Sequence, residues 1–364
     1  MRKSLYINPC FVRTAHTTFQ THLFPNHPQI NYLGRYVKHS YITDRLNSQQ
    51  KKIVEKSDSS YEKFFENIIL LNDEIFNQEY NEILKTAEKI YLDPNKTNIF
   101  SHDMFTLYSI QYHNTADLLQ SSISRTISRI NSLFNKINVD IYYFFNIRNH
   151  SELFPSWHIT TSKELNRSGA FKMGELIQFL KNENSDKFMI KRLLDGFKFW
   201  EYFDTISNVV GKNNVKIFLY EKFREDSSNY ITNFSNYLKI DSTISKKLLK
   251  NKREQVRHYD MQQSIAINSP LSLIYFKLLK NLKDPKNLFR NFKKKLINLC
   301  CLLYKNTFKF SYKDKESLKI TKDNLIKQSN IIKDNLPLIK KYYKEDCLAL
   351  KKELGPDIDK YNYL

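Results

Sequence analysis

Glycine, cysteine and acidic side chains are scarce in this chain. It has only six glycines in 364 residues, and no Gly-x-x-x-x-Gly-Lys-[Ser/Thr] pattern occurs anywhere, which excludes a P-loop kinase. The four cysteines (Cys10, Cys300, Cys301 and Cys347) have spacings that match neither a zinc ribbon nor a disulfide framework, so a reducing compartment is expected. Long apolar runs are missing as well. The longest near the end of the chain, Leu296 to Tyr304, is too short to span a bilayer. Met1, Arg2 and Lys3 lead into no apolar stretch of the kind a secretory signal needs. A soluble, cytoplasmic protein is the expectation.

Acid is outnumbered by base, 38 residues to 58, for a net charge of +20. Two causes fit. One is an acidic partner: nucleic acid, an anionic membrane surface, or a phosphorylated or sulfated ligand. The other is a composition rich in Lys, Asn and Ile, as AT-rich coding DNA produces. No helix-turn-helix or zinc finger is apparent, so a nucleic-acid partner is not expected, and a basic nucleic-acid-binding protein stands as the second reading, on charge alone.

Three segments read as buried strands, each rich in β-branched or aromatic residues: Ser4 to Asn8, Val139 to Ile147 and Asn214 to Tyr220. A weaker fourth is Asn98 to Phe100. Helical patterns lie between them. Phe64, Phe65, Ile68, Ile69, Phe76, Tyr80, Ile83 and Leu84 recur at three- and four-residue steps, and Leu118 to Leu133 and Phe188 to Val209 behave alike. Strands alternating with helices imply crossover connections, hence an α/β fold with a central parallel sheet flanked by helices. From about Ser264 the strand signal disappears. Leu271 to Leu282 and Ile331 to Leu354 read as helices around a Lys-rich stretch, Lys283 to Lys315. The expected organisation is an α/β domain over residues 1–263 and a helical extension over 264–364.

Ligands of parallel sheets bind beyond the carboxyl ends of the strands, so the residues following each strand matter most. After the first come Arg13, Thr14, Ala15, His16, Thr17, Thr18 and Phe19. Backbone N–H groups of such a turn, threonine hydroxyls and a guanidinium fork make an anion site. After the Val139 strand comes Arg148, and eight residues later Ser156, able to grip one phosphate from two sides. After the third come Tyr220 and Glu221.

Taken together, these stretches resemble the sulfotransferases that use 3′-phosphoadenosine 5′-phosphosulfate (PAPS). Arg13, Thr14, Thr17, Thr18 and Phe19 match that superfamily's Lys-Thr-x-x-Thr-[Ser/Thr]-Phe loop in the form seen in heparan-type carbohydrate O-sulfotransferases. Arg148 and Ser156 match its second element, and Val210 through Tyr220-Glu221, followed by Tyr237 to Asp241, its third. The ordered set covers roughly Ser4 to Asp241. The resemblance implies that the Arg13–Phe19 loop, with Ala15 and His16, holds the 5′-phosphosulfate. It also implies that Arg148 and Ser156 hold the 3′-phosphate, that Tyr220 lies near the nucleotide, and that Lys252 and Arg253 supply a basic loop over that phosphate. The family's loop lysine is Arg13 here, which puts efficient turnover in doubt and keeps a catalytically degenerate binding module in view.

Sulfuryl transfer to a hydroxyl needs in-line geometry, positive charge at the transferring oxygens and a general base. Of the nine histidines, His102 is the leading base, placed after the weak strand in "NIFSHDMF". Asp103, His16 and His158 are alternatives. No metal is expected. The implied acceptor is a hydroxyl of a glycan or glycolipid, and the Lys-rich stretch suggests peripheral contact with an anionic membrane.

Overall fold

Five parallel strands form one sheet in the order β2-β3-β1-β4-β5. They are β1 (Lys3–Pro9), β2 (Ile30–Tyr32), β3 (Thr97–His102), β4 (Val139–Ile147) and β5 (Val215–Leu219). The computed structural model describes residues 2–34, 64–65, 68–69, 71, 73–102, 123–156, 173–181, 188–252 and 330–363. β3 is buried along its whole length and β4 over its last five residues. Burial of successive residues, whichever way they point, marks strands covered on both faces.

β4 has the boundaries expected from sequence, and β1 extends the expected strand by one residue at each end. β3 runs further, so His102 ends the strand instead of following it. Asn214 belongs to a 3₁₀ turn (Lys212–Asn214), and Tyr220 opens a helix, Tyr220–Glu225, so both leave the strand that was expected to include them. β2 was not anticipated. It is three residues long and only Ile30 is buried, too little for any alternation to register.

Alternating side chains send Tyr6, Ile99, Phe144 and Phe218 to one face, into a core with Phe19, Leu23, Tyr230, Phe234 and Leu238. The π-helical segment Phe19–Leu23 and the helix Ser227–Leu238 supply that cover. The other face carries Phe100, stacked on Phe65 at 3.6 Å, and Phe145, which meets Phe11. Phe11 in turn meets Phe199 and Tyr202 at 4.9 Å each, which brings the helix Phe199–Val210 onto that face. The expected α/β class is therefore observed.

The helical pattern read from Phe188 to Val209 is two helices, Phe188–Asp195 and Phe199–Val210. Gly196 lies at the break, and Lys198 is extended there. The second helix ends at Gly211, whose φ of +88° suits a residue without a Cβ.

Residues 1–153, 187–256 and 340–364 form one compact unit that holds the sheet, and residues 154–186 and 257–339 form a second. Within the second, the helix Met173–Lys181 buries Leu176 and Leu180. Within the first, the later part of the helix Leu336–Leu354 is tied down twice. Tyr343 donates to the Leu194 carbonyl at 2.8 Å, and the Asp346 carboxylate accepts from the Trp200 N–H at 3.0 Å, capping a helix start. The segments expected at 118–122, 271–282 and 283–315 lie outside the described residues. Among the described residues, no helix is long and apolar enough to cross a membrane.

Candidate active site

Parallel pairing puts the carboxyl ends of β3, β1, β4 and β5 along one edge of the sheet. His102 ends β3, in register with Pro9, which ends β1, and the Cys10 N–H donates to the His102 carbonyl at 3.4 Å. Arg148 follows β4 directly and Tyr220 follows β5 directly. Four stretches picked out in the sequence thus stand at neighbouring strand ends.

The loop after β1 is bent by two residues in left-handed backbone, Arg13 (φ 62°) and Ala15 (φ 67°). Neither is glycine, and such a conformation costs an L-residue roughly 1–2 kcal/mol. Turned backbone of this kind directs N–H groups into a concavity suited to an anion. The surroundings hold that shape. The Thr14 hydroxyl donates to the Phe11 carbonyl at 2.7 Å, and Asn146 on β4 donates to the Thr14 carbonyl at 3.0 Å. Tyr230 in turn donates to Asn146 at 2.6 Å. Phe19 points into the core, stacked on Phe234 at 5.0 Å. Thr14 and Phe19 therefore build the loop. Arg13 and Ala15 stay part-exposed, while His16, Thr17 and Thr18 are buried in the turn that follows.

Beneath the loop lies a polar cluster that the sequence reading missed. Asn8 and Gln20 donate to the Ser101 hydroxyl at 3.2 and 3.0 Å, and the Cys10 thiol lies 3.1 Å from the same oxygen. It joins the ends of β1 and β3. His102 is itself buried, its ring nearly parallel to that of Phe100.

Arg148 is buried and folds back on the loop. Its Nη1 donates to the Arg13 carbonyl at 3.3 Å, its Nη2 to Glu152 at 2.8 Å, and its guanidinium lies 4.7 Å from the centre of the Tyr220 ring. The next residue is anchored separately. Glu221 accepts from the Asn149 N–H at 2.9 Å and from the Tyr363 hydroxyl at 3.0 Å. Burial pushes the Glu221 carboxyl above its ordinary range, against the pull of those bonds. Ser156 ends a helical segment, 150–156, and is buried. Lys252 is exposed just past the helix Ser242–Leu249. Arg253, Asp103 and His158 lie outside the described residues.

No protein-family model and no curated protein matches the chain. Among solved structures, a sulfotransferase from Alicyclobacillus acidocaldarius is similar at a TM-score of 0.38 and 10% identity, over 73% of this chain and 91% of that one. An overlap of that size decides nothing about activity. Among the described residues, no three His, Cys, Asp or Glu side chains are grouped as a metal ion would require.

Glu152, Arg224 and Asn146 are the site-edge residues that sequence reasoning passed over. Glu152 carried a signal, an acid only four residues after Arg148 and so within reach of its guanidinium. Asn146 carried none, since inside "VDIYYFFNI" it reads as one more strand position.

Proposed function

We propose that this protein transfers a sulfuryl group from PAPS to an acceptor hydroxyl on a glycan or glycolipid. One observation carries the reading. Arg148, at the end of β4, donates to the Arg13 carbonyl of a strained, hydroxyl-rich loop at the end of β1. A buried guanidinium and a turned backbone loop therefore meet at one sheet edge, as an anionic ligand requires. In this reading the loop takes the 5′-phosphosulfate and Arg148 the 3′-phosphate, with the Tyr220 ring beside it. His102 accepts the acceptor's proton as the new S–O bond forms. The bridging S–O bond breaks, and its electron pair leaves on the phosphate of adenosine 3′,5′-bisphosphate, where Arg13 meets the developing charge. Ser156, Lys252 and Arg253 belong to the proposed nucleotide site on the strength of the resemblance alone.

Calorimetry with adenosine 3′,5′-bisphosphate tests the reading. Arg148→Ala should weaken binding by about 1.5–3 kcal/mol, the range of a charge-assisted hydrogen bond. A folded variant with unchanged affinity rejects the assignment. Mass spectrometry of glycans incubated with PAPS should show the gain of one sulfate.

A further inference from the structure

Arg148 is held on several sides. The Tyr220 ring covers its face, the Arg13 carbonyl takes Nη1 and Glu152 takes Nη2. The side chain is only 8% exposed. Its Nε–H, also buried, meets no acceptor among the described residues. A buried donor left open is costly unless something arrives to satisfy it. The same acid that takes Nη2 is itself gripped. Arg224 donates through one nitrogen to both Glu152 oxygens, at 3.0 and 2.7 Å. Burial raises the Glu152 carboxyl, but its hydrogen bonds to the two arginines outweigh that and hold it below the ordinary carboxylate range, so it stays charged. Tyr220 and Arg224 sit four residues apart on the helix Tyr220–Glu225, hence on one face. That single helix thus constrains Arg148 twice, directly through a ring and indirectly through Glu152.

We propose that Glu152 and Arg224 are positioning residues for the 3′-phosphate: Arg224 fixes Glu152, and Glu152 fixes the Arg148 guanidinium so that its open edge faces the incoming oxygen. This rests on the sulfotransferase reading and adds two residues to it. Charge alone predicts the opposite for Glu152, because removing an anion beside a phosphate site strengthens phosphate binding. Positioning predicts a loss, since a mobile Arg148 must be ordered when the ligand binds.

The experiment compares adenosine 3′,5′-bisphosphate with adenosine 5′-monophosphate, which lacks the 3′-phosphate, by calorimetry on the full chain. Glu152→Ala should weaken the bisphosphate about tenfold and leave the monophosphate unchanged, the scale of one charge-assisted contact. Arg224→Lys keeps the charge but loses the fork, and should weaken the bisphosphate about fivefold. Arg224 is about half exposed, so this variant is expected to fold whatever its effect on affinity. In the Glu152→Ala background, Arg224→Lys should add nothing, because the pair acts as a unit. Tighter or unchanged bisphosphate binding in Glu152→Ala overturns the proposal, and so does equal loss for both nucleotides. Wild-type protein that binds neither nucleotide removes the sulfotransferase reading and this proposal with it. Wild type that prefers the bisphosphate, beside variants that keep that preference in full, removes only the positioning roles.

Discussion

Arg13 does two separable things. Its backbone supplies the left-handed bend and the carbonyl that Arg148 grips, and its side chain is the cation proposed to face the leaving phosphate. Truncation to alanine keeps the carbonyl and removes only the cation. Arg13→Ala should therefore lower kcat by roughly a hundredfold or more, the effect of losing one preorganised charge donor, while nucleotide affinity falls less. Arg13→Lys restores the compact charge usual in the family it resembles and should keep substantial activity. His102→Ala should cut turnover and spare nucleotide affinity, since the proposed base meets the acceptor and not the nucleotide. Steady-state kinetics beside bisphosphate calorimetry checks all three, and full turnover in Arg13→Ala removes the loop from the mechanism.

At the scale of elements, the turn after β4 is braced by the helix near the end of the chain, and that joint responds to pH. His150 is fully buried, its ring stacked on Tyr343 and Phe199, with Nε2 2.9 Å from the Phe197 carbonyl. Burial lowers its pKa from 6.5 to about 4. Stability from neutral His150 is thus complete above pH 6.5 and is lost as the pH falls toward 4, by about 3 kcal/mol. Asp346 works in the other direction. Burial raises its pKa from 3.8 to about 6, so its contribution is complete below pH 3.8 and is lost as the pH rises through 6. The two slopes oppose each other between pH 4 and 6. Denaturant titrations should show Asp346→Asn steepening the acid loss and His150→Phe reducing or reversing it. Parallel shifts in both variants would show that neither group titrates as described. This joint was illegible in the sequence. His150 and Asp346 stand far apart in the chain, and a histidine three residues past a strand looks the same whether it is buried or wet. β4 and β5 were legible because their apolar and aromatic residues run nearly unbroken, whereas β3 offers only Ile99 and Phe100 among polar neighbours and β2 is three residues long.

For the whole molecule, the sheet edge was readable and its bracing was not. Arg13, Arg148 and Tyr220 announced themselves by following strands, but the residues that hold them in place come from remote segments whose pairing only the fold reveals: Asn146 on Thr14, Glu152 on Arg148, Tyr363 on Glu221. The strand order carries a consequence for biosynthesis. β1 leaves the ribosome first, yet it occupies the centre of the sheet, where Tyr6 must wait for Ile99 on one side and Tyr142 on the other. At roughly 5–20 residues per second, translation leaves this apolar strand unpaired for several seconds or longer. Distant pairings of this kind fold slowly and expose sticky edges in the interval, so the nascent segment from β1 to β4 is where a chaperone should be found bound.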